Sequence, residues 1–377
     1  MLASALAGIR VLDLSQYLPG PLATLTLADF GADVLKIEPP AGDPMRSMPP
    51  IGKDGISRIY KACNRNKKTL RLDLKSDDGK RRFERLLKRA DVLLESFRPD
   101  VLTRLGFPRT RIEGLNPGLV HCALTGYGQD GPLAAAAGHD LNYMALAGGL
   151  GVSGTAKRPV MTFPPVADHA ASLNAALAVL AALFARAKTG RGAFLDVSIA
   201  EAVLPWQRLA LAAAESSGAD IPREGHELNG GAAYYQIYET KDGEFATLGC
   251  IEEKFWKNFC AAANQPDWVS RHADPLPQTQ LIGALRALFA SATLAEWQAA
   301  LGGADCCFQA VTAIPALATQ PQLQHRGFLQ MGKQDGDKLL EILFPVRADG
   351  TPPRTRRAWQ ETDLEAALRN WDAQNEA

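Results

Sequence analysis

GIRVLDLS (residues 8–15), PLATLTLADFGA (21–32) and DVLKIEPP (33–40) decide the fold. The first is a short strand rich in Val, Leu and Ile. The second has helical character, with Gly31 where a helix would stop. The third is another strand, ended by Pro39 and Pro40. A strand, a helix and a strand at this spacing predict a parallel pair joined by a crossover helix.

The same alternation continues. TLRLDL (69–74) reads as a strand, GKRRFERLLKRA (79–90) as an amphipathic helix, and ADVLLESF (90–97) and LVHCALTGYG (119–128) as strands. This is the texture of an α/β protein with a doubly wound parallel sheet. No G-x-G-x-x-G follows any of these strands, so the usual dinucleotide fingerprint is absent.

HAASLNAALAVLAALFARAKTGRG (169–192) predicts a long buried helix stopped by glycines, and AFLDVSIAEAVL (193–204) a strand then a helix. After about residue 215 the texture changes. YYQIYETKDGEFATLGC (234–250) predicts a β-hairpin around Lys241-Asp242-Gly243. EEKFWKNFCAAA (252–263) and residues 280–302 predict helices, and FPVRADGTPPRTRR (344–357) an irregular basic segment. The expected division is a large α/β domain over 1–214, a small mixed α+β domain over 215–330 and a terminal segment over 331–377.

Length and composition bound the function. A chain of 377 residues exceeds what one core usually serves, so two domains are expected. Lys plus Arg and Asp plus Glu both number 41, and this neutral balance argues against a nucleic-acid or membrane-surface partner. The six cysteines show no C-x-x-C spacing, which fits reduced thiols in a cytoplasmic protein. The first residues carry no leader pattern. The apolar run 175–185 is shorter than the roughly 20 residues a bilayer requires, so it reads as a core helix.

Few residues invite chemistry. Asp168, in PPVADHAASLNAALAVL, falls at the first turn of the long helix. It is either a helix cap or a carboxylate stabilised as the anion and available as a base or nucleophile. His139, in GHDLNYMALAGGL (138–150), either fills a turn beside a capping Asp140 or moves a proton near pH 7. NRNKKTLRLDLK (64–75) clusters Arg65, Lys67, Lys68, Arg71 and Lys75, as a solvated face or as a polyphosphate grip, and Arg98 and Arg104 follow in ESFRPDVLTRLG (95–106). The chain has no G-x-S-x-G elbow, no H-E-x-x-H and no P-loop lysine, and no ligand set for a metal.

Taken together, LSQYLPGPLATLTLADFGADVLKIEPPAGDPMR (14–46), NRNKKTLRLDLK, ADVLLESFRPDVLTRLG, LTGYGQDGP and TGRGAFLDVSIAEA resemble the family III CoA-transferases, a group that also holds the α-methylacyl-CoA racemases. The resemblance covers at least residues 8–350. It implies a Rossmann-like large domain to which the C-terminus returns, a smaller domain, and two subunits interlocked as a homodimer. It implies an acyl-CoA substrate and no cofactor beyond that CoA. By position in the motifs, Arg65, Thr69, Leu72, Lys75, Glu95, Phe97, Arg98 and Arg104 match the CoA-contacting set, and Gln16 lies near the thioester.

Two chemistries follow from the resemblance. In transferases the aspartate matching Asp168 attacks the acyl carbonyl and passes CoA to a second acid. In racemases the same aspartate and a histidine exchange a proton at the α-carbon, and a glutamate supports the histidine. GHDLNYMALAGG resembles the racemase histidine segment, which marks His139, and GCIEEKFW (249–256) marks Glu252. GGAAYYQIYETKDGEFATLG (230–249) also lacks the long glycine-rich loop of many transferases. These matches favour a racemase of 2-methyl-branched acyl-CoA thioesters, with CoA transfer as the alternative. Main-chain donors near Asp168 would polarise the thioester. One departure stands out: ADHAAS (167–172) replaces the family's glycine-rich run after the aspartate, so His169, Ala170 and Ala171 are expected to narrow or reshape the acyl site.

Overall fold

The computed structural model describes residues 2–334, 337–351, 353 and 356–373. They form two compact units. The larger comprises Met1–Ala147, Phe163–Pro205 and Ala318–Ala377, and the smaller comprises Gly148–Thr162 and Trp206–Leu317.

Among the described residues, the larger unit is built on a seven-stranded sheet. Its strands are β1 (Arg10–Asp13), β2 (Asp33–Glu38), β3 (Lys68–Arg71), β4 (Val92–Glu95), β5 (Val120–Thr125), β6 (Ala193–Ser198) and β7 (Gln360–Glu361). The order is β7-β3-β2-β1-β4-β5-β6, and every pair is parallel. Val11, Leu12, Val92, Leu93 and Leu94 have no exposed surface, as expected of central parallel strands covered on both faces. The chain winds from β1 to β2 and β3 on one side, then to β4, β5 and β6 on the other. The crevice where the direction reverses, beyond the carboxyl ends of β1 and β4, is where such sheets bind ligands.

Helix α1 (Pro19–Asp29) makes the crossover between β1 and β2. Pro19 at its first position needs no hydrogen-bond acceptor, and Gly31, at φ +98°, ends it. Gly20 is fixed by its neighbour: a Cβ there would stand 2.1 Å from the Ser15 Cβ. Helix α2 (Asp77–Leu87) covers the other side of the sheet with Phe83, Leu86 and Leu87. The C-terminal helix Leu364–Ala373 adds Leu368 and Trp371 to the same core.

The turn from β1 into α1 is pinned by a buried carboxylate. Asp13 accepts from the Ser15 N–H (2.9 Å) and hydroxyl (2.5 Å), the Thr24 hydroxyl (2.5 Å) and the Lys67 ammonium (3.2 Å). Lys36 donates to the Ser15 carbonyl at 2.6 Å and pairs with Asp43 at 3.0 Å. Burial alone would raise the Asp13 pKa. Lys67, Lys36 and the two hydroxyls overcome it and hold the carboxyl well below its usual range.

This network changes the reading of the basic segment 64–75. Lys67 is internal and neutralises Asp13. Lys68 pairs with Asp33 at 3.2 Å, and Arg65 is buried against Glu341 at 2.6 Å. Arg71 donates to the Pro40 carbonyl at 3.4 Å and faces the exposed Glu361 at 3.7 Å. The segment does not act as one shared face. Most of its charges tie distant parts of the chain together, while Lys75 is exposed and lines a cavity.

The long helix, α4 (Val166–Thr189), starts three residues before the expected 169 and ends at Gly190, φ +70°. The 24-residue helix is long and apolar enough to cross a bilayer by length and composition, unlike the 175–185 run read alone. Its small residues Ala167, Ala170, Ala171, Ala175 and Ala176 are buried and let it pack closely on α1. Its other face is open: Leu173, Leu177 and Phe184 are at least half exposed. The expectation of a helix buried all round therefore holds for one face only.

The smaller unit contains the predicted hairpin, Tyr235–Glu239 paired with Phe245–Gly249, and a third strand, Phe308–Ala310. Helices Glu253–Ala262, Thr279–Phe289 and Leu294–Leu301 cover it around Tyr238, Trp256, Phe259 and Phe289. The 148–162 excursion belongs here. Arg223 donates to the carbonyls of Gly151, Thr155 and Ala156, and Glu224 accepts the Ala156 N–H. The smaller unit thus draws on two stretches of chain, and the return begins at Ala318, not 331. Residues 352, 354 and 355 of the basic segment 344–357 lie outside the described residues, while Arg356 pairs with Asp29 at 2.5 Å.

Removing one partner of a buried charge leaves it less well compensated. Lys67→Met is expected to lower unfolding stability by about 3 kcal/mol in urea. Lys75→Met, at an exposed cavity edge, should stay within about 0.5 kcal/mol. Equal effects would contradict the division of roles in this segment.

Candidate active site

The crevice at the direction reversal holds a cavity of about 420 Å³. Its walls come from the ends of four strands: Gln16 and Tyr17 after β1, Ser96–Pro99 after β4, Thr125 and Gly126 at the end of β5, and Ile199 after β6. Residues 134 and 136–139, together with Asn142 and Tyr143, close one side, and Asp168 reaches in from the first turn of α4. A second cavity of about 230 Å³ adjoins it, lined by Leu14, Ile37, Leu72, Lys75, Val101 and Leu105. Gln16 and Phe97 line both, so the two form one extended cleft.

Local sequence fixes these walls. Tyr17 sits at φ +62°, a left-handed conformation unusual for an aromatic residue and a form of strain that gathers at functional turns. The Gln16 N–H donates to the Ser96 hydroxyl at 3.1 Å. Gly126 and Gly138 are bare because a Cβ at either would meet the Tyr143 ring within 3 Å. Tyr143 donates to the Gly138 carbonyl at 2.7 Å and packs edge-on against Tyr127.

His139 is the residue before helix α3 (Asp140–Leu146), and its N–H donates to Asn142 Oδ1 at 3.0 Å. Its imidazole is exposed on the cleft. Asp140 does not cap its own helix. Its Oδ1 accepts the Asp168 N–H at 3.1 Å and so joins the starts of two helices. That N–H is therefore committed to Asp140, which removes one main-chain donor from those expected to polarise a thioester.

Asp168 is the third residue of α4, behind Pro165 at the cap position. Burial, followed by the negative charge of Asp140, pushes its carboxyl up to about 6, and His169 and His139 offset this only in part. Desolvation and Asp140 outweigh the favourable helix terminus expected from position alone. A carboxyl in this range suits proton exchange near neutrality.

The residues expected to contact CoA divide. Gln16, Leu72, Lys75, Phe97 and Arg98 line the cleft with His139 and Asp168. Arg65 does not, being buried against Glu341, and Thr69 is buried on β3, its hydroxyl directed at the Gln360 carbonyl (3.5 Å). Glu95 is buried beneath the cleft, where its carboxylate accepts the Phe97 N–H at 2.7 Å. Arg104 is an exposed residue ending the short helix Val101–Arg104, off the lining. Glu252 lies in the smaller unit, exposed, just before the helix Glu253–Ala262.

The non-glycine residues after Asp168 also fall differently from expectation. Ala170 and Ala171 are buried in the helix packing, and His169 Nδ1 donates to the Pro165 carbonyl at 2.6 Å. None of the three lines the cleft. Ser96 and Tyr17 were not singled out from sequence, and Asp140 only as a helix cap. Asp140 stood beside His139 in the quoted motif, but its partner lies 28 residues on.

A doubly wound sheet with an imidazole and a carboxyl on a two-chamber crevice defines a ligand-converting α/β protein. The chain belongs to CoA-transferase family III, whose model matches residues 6–359. It is 33% identical over 348 residues to human alpha-methylacyl-CoA racemase, covering 88% of this chain and 84% of that protein. It is 30% identical over 332 residues to mouse succinyl-CoA:glutarate CoA-transferase, covering 86% and 76%. The structure of a CAIB/BAIF family protein from Brucella suis superposes with a TM-score of 0.84 at 25% identity, covering 97% of this chain and 98% of that one. Relatives of both chemistries thus stand at similar identity.

The raised Asp168 carboxyl has a consequence for stability. Its folded value lies above the unfolded one, so it disfavours folding increasingly as pH rises from about 4 through 6. Asp168→Asn is expected to raise the melting temperature at pH 7.5 by roughly 2 °C, with the gain fading as pH approaches 4. A lower melting temperature at pH 7.5 would contradict this electrostatic reading.

Proposed function

We propose that this protein interconverts the two configurations of 2-methyl-branched acyl-CoA thioesters by proton transfer at the α-carbon. The observation that carries the reading is the convergence of His139 and Asp168, from the starts of two helices, on one cleft. Inversion needs two groups, because a single base returns the proton to the face it came from. In one direction the Asp168 carboxylate takes the α-proton and the His139 imidazolium donates to the other face of the enolate. In the other direction neutral imidazole takes it and the carboxylic acid donates.

The cleft suits an acyl-CoA. Lys75 brings a point charge to the second chamber for the CoA phosphates, and Arg98 a fork to the chamber of His139 and Asp168. Around His139 the wall is small and apolar, with Ala134, Ala136 and Ala137. Among the described lining residues Arg98 is the only lysine or arginine of this chamber. That favours an apolar acyl group over a dicarboxylic one. The exposed Leu173, Leu177 and Phe184 on α4 favour the expected homodimer, since an apolar stripe of this kind calls for a partner surface.

The second reading is CoA transfer, with Asp168 as nucleophile and a second acid taking CoA. It rests on the similarity to the mouse transferase. The two readings separate on one assay. Each enantiomer of a 2-methylacyl-CoA is incubated with the protein, with and without a carboxylic acid acceptor, and followed by chiral chromatography. Racemisation is expected in the wild type, with losses of at least about 100-fold in both His139→Ala and Asp168→Ala. Acceptor-dependent CoA transfer that survives His139→Ala, with chirality retained, would establish the transferase instead.

A further inference from the structure

Gln16 and Phe97 form the neck between the two chambers, and both are held by groups on or beside β4. The Ser96 hydroxyl takes the Gln16 N–H at 3.1 Å, and the Glu95 carboxylate takes the Phe97 N–H at 2.7 Å. Glu95 is 5% exposed and lines neither chamber.

The surroundings of Glu95 supply no counter-charge. On β5, His121 Nε2 stands 3.9 Å from the carboxylate, beyond hydrogen-bond reach. Both His121 ring nitrogens lack hydrogen-bond partners among the described residues, and burial, with Arg109 nearby, lowers its pKa to about 4, which keeps it neutral. The Cys122 thiol is pushed up to about 12 by burial and by Glu95 and Asp196. On β6, Asp196 adds negative charge. Just after β1, the neighbour is Leu14, whose N–H bonds the Leu94 carbonyl. The lysines that serve Asp13 are committed to that network.

We propose that Glu95 is a positioning residue for acyl-CoA: through the Phe97 N–H it sets the Ser96–Pro99 loop, and so keeps the two chambers aligned for one extended ligand. The inference rests on the reading of the cleft as the CoA site. Glu95 touches no ligand itself. A charged acceptor holds an N–H more tightly than a neutral one, so the loop is held best when Glu95 is ionised. Burial, then Asp196, pushes this carboxyl up to about 7, with the Phe97 N–H opposing. The hold therefore tightens as pH rises through neutrality.

The test measures binding of CoA by titration calorimetry, for wild type and Glu95→Gln, between about pH 6 and 8.5. Glutamine keeps an acceptor oxygen and mimics the protonated acid. The CoA phosphate, which titrates near 6, and Asp168, raised to about 6, act in both proteins, so the readout is the ratio of their affinities. Wild type should gain about fivefold over the variant across this range, and at pH 8 the variant's loss should fall on KM rather than kcat. Ser96→Ala should weaken CoA binding at every pH without altering that ratio's pH profile. A ratio flat with pH while both proteins bind CoA overturns the role of Glu95, as does a Ser96→Ala protein that binds like wild type. No CoA binding by the wild type overturns the reading of the cleft and this inference with it.

Discussion

The Asp13 carboxylate, fully buried at the end of β1, is the constraint on which the rest of the larger unit depends. An unpaired charge there would be costly to the fold, and two lysines with two hydroxyls surround it. Each partner fixes a different element. Ser15 and Thr24 set the turn into α1, and Lys67 anchors the approach to β3. Lys36 holds the Ser15 carbonyl from β2. The next residue, Gln16, then emerges at the neck of the cleft. Gly20 belongs to the same constraint, because α1 can start this close to Ser15 only without a side chain there.

The strands of the central sheet were legible because buried parallel strands are short, nearly continuous apolar runs, as Val11–Leu12 and Val92–Leu94 show. The hairpin around Gly243 was legible from its alternation and its turn. Charge partners were not. Lys67 finds Asp13 across 54 positions and Lys68 finds Asp33 across 35, so a basic run that looked like one patch serves several separate contacts. The open face of α4 was hidden for another reason: an alanine-rich helix with leucines on both sides gives composition but no direction. The 148–162 excursion into the smaller unit depends on Arg223 and Glu224, residues with no local sign of an internal role.

The motifs located His139 and Asp168, but the electrostatics of the pair needed three dimensions. A carboxyl at a helix start is ordinarily favoured as the anion. Here burial and the facing Asp140 reverse the balance and bring Asp168 to about 6. Glu95, one layer below, is raised to about 7 by burial. Both carboxyls disfavour the folded state when ionised, in contrast to Asp13, whose ionisation is stabilised by its partners. The fold thus separates a carboxylate that holds the scaffold from two poised near neutrality at the cleft.

The central claim is that one extended cleft, organised at the reversal between β1 and β4, takes an acyl-CoA with its reacting end beside Asp168 and His139. A crystal structure of the protein with CoA bound tests this most directly. The account predicts the phosphates beside Lys75, the chain passing between Gln16 and Phe97, and the sulfur beside Asp168. CoA bound elsewhere, or bound in the cleft with its sulfur away from Asp168, would contradict it.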